Sequence, residues 1–201
     1  MKSVMISIQP YWVFLIIAKT MGWNIDKEKT VEVRKTFPKD KSWDKVVKIY
    51  CSKDKKSFAK IPKQYQSLME QLSGKVIGEF KCNEITKYPY EIKHDGEHLM
   101  PYGELEKTCL DGIELYNYLG TNDGYGWHIS DLVIYDEPKE LSDFVTICPE
   151  WEKEYFDTKC LSCKCYFSNY SDMRHECTVE GEKPLERPPQ SWCYVEGAEG
   201  E

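Results

Sequence analysis

The sequence lacks an apolar run long enough to cross a bilayer. Its longest run, YWVFLIIA from Tyr11 to Ala18, falls well short of the roughly 20 residues that a spanning helix needs. Only Lys2 provides charge ahead of this run, and no small-residue cleavage pattern follows it, so we interpret it as a buried helix and not as a signal peptide. We therefore expect a cytoplasmic, globular protein that makes no use of a membrane.

The sequence also lacks the positive charge of a general DNA-binding protein. Its 201 residues carry a net charge of -7, which argues against broad affinity for duplex DNA. The charge is uneven: thirteen basic and five acidic residues between Lys27 and Lys63 give +8, whereas twelve basic and twenty-eight acidic residues in 64–201 give -16. The basic segment is either a solvated lysine-rich loop or a loop beside a polar cleft that attracts phosphates.

Internal repeats and a regular βαβ rhythm are absent as well. The apolar patterns predict strands and helices in the order β-α-β-β-β-β-α-β, with a charged excursion over 52–74. The predicted strands are 4–9, 30–35, 45–51, 75–82, 84–92 and 126–136, and the predicted helices begin at Pro10 and at Gly103. Short strands in this order predict an α+β fold, a small mixed β-barrel with flanking helices.

One predicted strand, in the stretch EKTVEVRK (28–35), has an unusual charged face. Alternation places Thr30, Glu32 and Arg34 on the face opposite Val31 and Val33, which can face a core. Lys29 stands at the start of the strand. The charged face is either a solvated edge or the floor of a site for a polar ligand.

The cysteines do not form the pattern of a disulfide framework. There are nine, an odd number, and three lie in predicted structured segments: Cys51, Cys82 and Cys109. This distribution fits a reducing compartment.

The remaining six cysteines follow residue 147, where aliphatic residues become scarce. Cys160 and Cys163 form a CxxC pair, the spacing that structural zinc sites use, and Cys177 and Cys193 are candidates for the other two ligands. Other residues that compete for these positions are Cys148, Cys165 and His175. We predict a zinc-stapled module over 146–195 and a disordered acidic end over 196–201; free thiols in a flexible tail, or a redox CxxC pair, are the alternatives.

Five segments, ISIQP, KTVEVRK, KVVKIYC, KVIGEF and GWHISDLVIYDEPKELSDF, together resemble an ASCH domain. The family signature is G-x-K-x-x-E-x-R; here KEKTVEVR matches it at Lys29, Glu32 and Arg34, with Lys27 in place of the glycine. The resemblance covers about residues 4–144. The chain is similar to ASCH proteins commonly encoded in prophages of Gram-positive bacteria, whose Cys-rich tail ends in a segment like RPPQSWCYVE (187–196).

The resemblance implies a PUA-like barrel over 1–145 with a cleft that binds RNA or a nucleotide. Lys29 and Arg34 would donate to phosphate or base edges, and Glu32 would accept from a base or hold Arg34 in position. Trp127 and His128 would add a stacking surface and a titratable donor, although a core aromatic and a structural histidine are the commoner roles for such residues.

Catalysis is the alternative to binding. Some small ASCH-like proteins are amidohydrolases that act on N4-acetylcytidine through a lysine, a threonine and a glutamate. Lys29 matches the lysine, but Glu32 occupies the threonine position, Thr30 is displaced, and Glu106 is near the third position without matching it in register. No paired histidines indicate a ribonuclease. A third hypothesis is an adaptor that binds a host or phage protein through the zinc tail. We therefore favour a binding protein over an enzyme.

Overall fold

A computed structural model describes residues 3–38, 45–88, 103–146 and 184–197, which form nine strands and five helices. The strands are Ser3–Ile8 (β1), Val31–Arg34 (β2), Lys45–Cys51 (β3), Val76–Cys82 (β4), Ile85–Tyr88 (β5), Gly124–His128 (β6), Ser130–Lys139 (β7), Val145–Thr146 (β8) and Trp192–Glu196 (β9). The helices are Pro10–Ile17 (α1), Lys55–Phe58 (α2), Lys63–Leu72 (α3), Glu104–Thr108 (α4) and Gly112–Leu119 (α5). None of these helices is both long and apolar enough to span a membrane.

The strands form two sheets. The larger has six strands in the order β7-β4-β3-β1-β9-β8, in which β1 and β3 are parallel and the other pairs are antiparallel. The smaller sheet is antiparallel, with the order β2-β6-β5. The α+β class is as predicted. The closed barrel is not: the strands of the described ranges form two open sheets.

The chain passes between the sheets at two corners. Only Asn83 and Glu84 separate β4 in the large sheet from β5 in the small one, and only Ile129 separates β6 from β7. The sequence predicts a single strand over 126–136, but the structure has two strands there, in different sheets. The prediction misses the corner because the apolar alternation continues across it without a turn residue. At the corner itself, the Ile129 amide donates to the carbonyl of Thr30 at 2.9 Å, which joins the corner to the segment before β2.

The main core lies between the large sheet and helices α1 and α3. Pro10 is the first residue of α1, where its fixed φ suits a helix start. Residues Val13 to Ile17 of the apolar run are buried as predicted, whereas Tyr11 and Trp12 are half-buried. Helix α3, within the charged excursion, presents Met69 and Leu72 to the same core. It ends at Leu72, shortly before Gly74, whose φ is +85°. The opposite face of the large sheet has its own apolar cluster, which includes Met5, Tyr50, Val76, Tyr135, Phe144, Leu185 and Val195.

The C-terminal strand β9 belongs to the large sheet. It pairs with β1, with Cys193 opposite Met5, although its residues fall in the segment for which composition predicts a separate zinc module. Glu196, for which composition predicts a disordered end, is the last residue of β9. The division at residue 145 thus does not separate β9 from the main sheet, since β1 supplies the backbone hydrogen bonds that β9 needs.

The helical pattern predicted from Gly103 to Gly120 is interrupted. Cys109 ends α4 with a left-handed φ of +57°, and α5 starts afresh after Asp111. Asp111 accepts from the Glu114 amide while the Glu114 side chain accepts from the Asp111 amide, a reciprocal cap that fixes the second start.

Gly78 allows β4 and β7 to approach closely. A Cβ at this position would lie 2.3 Å from the Val133 carbonyl oxygen, which no side chain tolerates. The β4–β7 pairing shifts register on both sides of this point, so the close contact coincides with a bend of the sheet.

A polar triad lies on the outer face of the large sheet. Lys48 and the Tyr135 hydroxyl both donate to the Glu79 carboxylate, the latter at 2.7 Å, and Lys48 also contacts the Tyr135 hydroxyl at 3.1 Å. Burial acts to raise the pKa of Glu79, but the hydrogen bonds from Lys48 and Tyr135 outweigh it and the pKa is lowered.

This triad predicts how Glu79 contributes to stability across pH. Because its folded pKa lies below its unfolded pKa, its ion pair stabilises the fold above the unfolded value near 4.5 and is lost as pH falls through the folded pKa. We expect Glu79→Gln to lower the free energy of unfolding by about 2 kcal/mol at pH 7, as for hydrogen bonds to charged groups. The deficit should shrink at about pH 3.

Denaturant unfolding at both pH values measures this difference. Glu137→Gln is the control, because Glu137 is an exposed carboxylate on the neighbouring strand β7. A deficit for Glu79→Gln that stays constant with pH would show that the carboxylate charge is not the stabilising feature.

Candidate functional site

Strand β2 brings the charged signature residues into the interior. All four of its residues are buried, and the segment before it is held on two sides: the Lys29 amide donates to the Leu15 carbonyl in α1, and the Thr30 amide to the Lys107 carbonyl in α4. Because regular strand structure begins only at Val31, Lys29 does not follow the alternation of β2. Its side chain therefore lies with Glu32, and not on the opposite face.

Glu32 lies between two cations. Its Oε2 is 3.4 Å from Lys29 Nζ, and its Oε1 is 3.1 Å from Arg34 Nη2. The three residues are only 3%, 6% and 6% exposed, so solvent does little to screen their charges. Two cations and one carboxylate leave a net charge of +1 beneath this part of the surface.

Lys29 is held by backbone groups as well as by the carboxylate. Its ammonium donates to the carbonyl oxygens of Val31 at 2.9 Å and Thr108 at 2.8 Å, and lies 5.2 Å from the centre of the Trp12 ring. Desolvation lowers the pKa of Lys29, and the nearby Glu32 carboxylate opposes that effect without reversing it. A buried lysine of this kind is a candidate for a functional group.

Arg34 joins three separate parts of the chain. Its guanidinium donates to the Ser7 carbonyl at the end of β1 at 2.6 Å and to the Ser191 carbonyl just before β9 at 3.4 Å, besides its contact with Glu32. Its Nε is buried and has no hydrogen-bond partner within the part of the chain that the structure describes. The Nε–H of Arg34 is thus a donor without a partner among the described residues.

An open cleft of about 510 Å³ lies above this charged triad. Lys29, Glu32 and Arg34 all line it. Its walls come from the end of β1, the start of α1, helix α5 and the approach to β9, with the lining side chains Ser7, Ile8, Gln9, Trp12, Val33, Ser52, Leu110, Glu114, Asn117, Tyr118 and Gln190. The volume lies within the range of about 300–1,000 Å³ that small-molecule sites have.

The aromatic residues of the cleft are Trp12 and Tyr118, neither of which the sequence reasoning identified. Trp12 is half-buried and Tyr118 is 40% exposed, so both offer ring surface to a ligand. Burial raises the pKa of Tyr118, which keeps its hydroxyl protonated and able to donate. The signal for Trp12 is its place in the first turn of a helix that directly follows a central strand.

Trp127 and His128 lie elsewhere. Trp127 is 1% exposed in the main core, and His128 contacts Thr86 through Nε2 at 2.8 Å, with the Glu104 carboxylate 3.6 Å from the same nitrogen. Neither residue lines the cleft over the triad.

Glu106 does not join Lys29 and Glu32. It lines a second depression, of about 530 Å³, whose other lining residues are Asp26, Lys27, Glu28, Leu105, Cys109, Leu110, Asp111 and Glu114. The two depressions share Leu110 and Glu114 but not their floors. Of the three candidate catalytic residues, the structure therefore brings together Lys29 and Glu32 alone.

The predicted zinc ligands are described only in part. Cys160, Cys163 and Cys177, and the alternatives Cys148, Cys165 and His175, lie outside the described residues. Cys193 is in β9 beside the outer apolar cluster, and burial raises the pKa of its thiol to about 11. No group of three His, Cys, Asp or Glu side chains suited to a metal occurs among the residues at 3–38, 45–88, 103–146 and 184–197.

Comparison with known proteins finds similarity only among solved structures. The ASCH protein of Zymomonas mobilis is 18% identical over 69% of this chain and 73% of its own, with a TM-score of 0.43. A tyrosine-to-phenylalanine variant of it gives 16% identity over 69% and 76%, with a TM-score of 0.43. A serine-to-alanine variant gives 14% identity over 96% and 88%, with a TM-score of 0.48. No protein-family model and no curated protein matches the chain.

The zinc site stays a prediction, and elemental analysis tests it. We expect the purified chain to contain about one zinc ion, as four-ligand structural sites do, and the double variant Cys160→Ser/Cys163→Ser to lose it. Cys51→Ser is the matched control, because Cys51 is a buried thiol of β3. Zinc-free wild-type protein, or zinc retained by the double variant, would contradict the site.

Proposed function

We propose that the cleft binds a nucleotide, or an unpaired base of RNA together with its phosphate. The observation that carries this proposal is the convergence of Lys29, Glu32 and Arg34 on the floor of an open cleft whose wall carries Trp12. A positive floor and an aromatic wall are the two features that single-stranded nucleic-acid sites combine.

Stacking is the first contribution that we assign to the cleft. Trp12 presents a ring that makes a cation–π contact with the buried Lys29 ammonium, 5.2 Å from the ring centre. Tyr118 stands on α5, with Lys35 Nζ 5.5 Å from its ring centre. Any base can stack on such a ring, so stacking supports affinity and leaves base choice to polar groups.

Hydrogen bonding to base edges is the second contribution. The exposed rim carries three carboxamide side chains, from Gln9, Asn117 and Gln190, each with both donors and acceptors. Arg34 Nε is a further donor, buried and without a hydrogen-bond partner among the described residues. Because an unpaired buried donor is costly, a ligand oxygen that reached Arg34 Nε would gain from satisfying it.

The floor charges favour an anionic ligand. Lys29 and Arg34 exceed Glu32 by one positive charge in a poorly screened setting. Glu32 is engaged by both cations, so we assign it the role of positioning Arg34 and Lys29 and not that of reading a base. The net positive charge of the floor would then attract the phosphate of the ligand, even though the phosphate does not contact every charged group.

Hydrolysis of a modified nucleoside is a second candidate, favoured by one observation. The lowered pKa of Lys29, beside a carboxylate in a ligand-sized cleft, is the property that a lysine needs to act as a base near neutral pH. Two features oppose it: Lys29 donates to two carbonyls, and Glu106 lies in the other depression. The adaptor hypothesis depends on tail residues outside the described ranges.

The binding proposal predicts the effect of removing the Trp12 ring. We expect Trp12→Leu to weaken binding of single-stranded RNA about 5- to 150-fold, because a stacked base contributes about 1–3 kcal/mol. The measurement is a calorimetric or fluorescence-anisotropy titration with the four ribonucleoside monophosphates and a random-sequence RNA of about 12 nucleotides.

Trp23→Leu is the matched control for this titration. Trp23 is also a half-buried tryptophan, but it stacks on Phe14 and Tyr65 and does not line the cleft. Trp12→Phe should recover part of the affinity. If wild type binds neither nucleotides nor RNA, or if Trp12→Leu and Trp23→Leu bind alike, the proposal fails.

The hydrolase candidate predicts turnover of N4-acetylcytidine that depends on Lys29. We expect Lys29→Met, which keeps much of the side-chain volume, to abolish cytidine release. Circular dichroism measures the folded fraction of this variant. Activity should rise with pH as the lowered pKa of Lys29 is passed, because the neutral amine is the base. Absence of turnover by wild type would remove this candidate and leave binding.

A further inference from the structure

We propose that the lysine-rich segment around α2, residues 53–63, binds backbone phosphates of a single-stranded nucleic acid whose base occupies the cleft. This inference rests on the proposed function and extends it, since it makes the ligand a polymer and not a free nucleotide. The surface consists of Lys53, Lys55, Lys56, Lys60 and Lys63, which we call the lysine flank.

The lysine flank is fixed directly beside the cleft. Asp54 Oδ2 accepts from Gln9 Nε2 at 3.1 Å, and Ser57 Oγ accepts from the Tyr11 amide at 3.0 Å. Gln9 and Ser52, on either side of this junction, both line the cleft. A ligand leaving the cleft past Gln9 therefore meets α2 next.

The described residues offset little of the charge of the lysine flank. The segment 53–63 contains five lysines and a single acidic residue, Asp54, whose Oδ1 caps α2 by accepting from the Lys56 and Ser57 amides. Lys53, Lys55 and Lys56 are exposed, and no ion pair to any of them occurs within the described ranges. Exposed, unpaired ammonium groups in a row are the groups that exchange counterions for phosphates.

Aromatic rings lead from the cleft to the lysine flank. The Tyr11 and Trp12 rings lie 5.1 Å apart at an interplanar angle of 58°, and Lys60 Nζ lies 5.7 Å from the centre of the Tyr11 ring. Trp12 faces the cleft, whereas Tyr11 adjoins α2. The two rings provide successive surfaces for bases, with ammonium groups alongside for the phosphates.

The side of the cleft formed by Leu110 and Glu114 adjoins an acidic surface that repels phosphates. The second depression, which shares Leu110 and Glu114 with the cleft, is lined by five carboxylate residues and one lysine: Asp26, Glu28, Glu106, Asp111, Glu114 and Lys27. A polyanion that enters the cleft is therefore directed towards α2. This asymmetry, and not the net charge of -7, determines where a nucleic acid can lie.

Removing three lysines tests the inference. The variant Lys55→Gln/Lys56→Gln/Lys60→Gln should weaken binding of the RNA of about 12 nucleotides at least about tenfold in low salt. The slope of log affinity against log salt concentration should be less steep by about 2, since each phosphate contact on a single strand contributes about 0.7 to that slope. Binding of nucleoside monophosphates should not change by more than about twofold, because the cleft is intact.

A matched control removes the same charge elsewhere. Lys75→Gln/Lys81→Gln/Lys87→Gln also deletes three lysines, each from a surface ion pair on or beside β4 and β5, and none of the three lines the cleft. The charge-retaining variant Lys55→Arg/Lys56→Arg/Lys60→Arg should bind RNA as wild type does. Both sets can be checked for folding by circular dichroism.

The outcomes separate the two proposals. If monophosphates and RNA bind through Trp12 but both lysine triples lower RNA affinity equally, or neither lowers it, the lysine flank is not the phosphate site and the cleft proposal survives. If poly-glutamate competes as well as RNA does, the flank is a general polyanion surface and the nucleic-acid assignment is overturned. If no nucleotide binds at all, the proposed function itself fails.

Discussion

The carboxylate of Glu32, held between the buried cations of Lys29 and Arg34, is the interaction on which the cleft depends. Without it, two like charges would remain in a setting almost closed to water, where unpaired charges are very costly. With it, Lys29 can tie α4 to β2 through the Thr108 carbonyl, and Arg34 can tie β1 to the approach of β9. The ion triad therefore has a structural role whether or not a ligand is bound.

The buried and the exposed residues of the cleft have different tasks. Lys29, Glu32 and Arg34 lie at the floor and set the local field, whereas Trp12 and Tyr118 stand at the wall and offer ring surface. A charged motif read from sequence can thus locate a cleft without containing most of the residues that line it. Those residues come from helices α1 and α5, which the motif does not include.

The sequence predicts the regular parts of this fold well. Apolar and β-branched residues identify β1 and β3, alternation identifies β4, and Pro10 with the apolar run identifies α1, because each pattern directly reflects burial. The corner at Ile129 escapes prediction, since no turn residue marks it. Strand β9 escapes as well, because its partner β1 lies almost the whole chain away and cannot be recognised from local composition.

The sequence predicts the charged residues at the floor of the candidate site but not the side chains of its walls. Lys29, Glu32 and Arg34 do share a location, although strand parity alone would place Lys29 opposite Glu32. Trp127 is buried in the core, whereas Trp12 lines the cleft. Sequence does not distinguish them because Trp12 reaches the site through a tertiary contact, the approach of Lys29 Nζ to within 5.2 Å of its ring centre.

The contact from Arg34 to the Ser191 carbonyl also affects the order in which the cleft can assemble. Strand β1 lies between β3 and β9 in the large sheet, and Arg34 and Ser191 are 157 positions apart in sequence. A chain synthesised as far as β7 therefore carries Lys29, Glu32 and Arg34 but not Gln190, which is part of the cleft wall. Closing such a long loop is among the slower steps of folding, so we expect the floor of the cleft to form before its wall is complete.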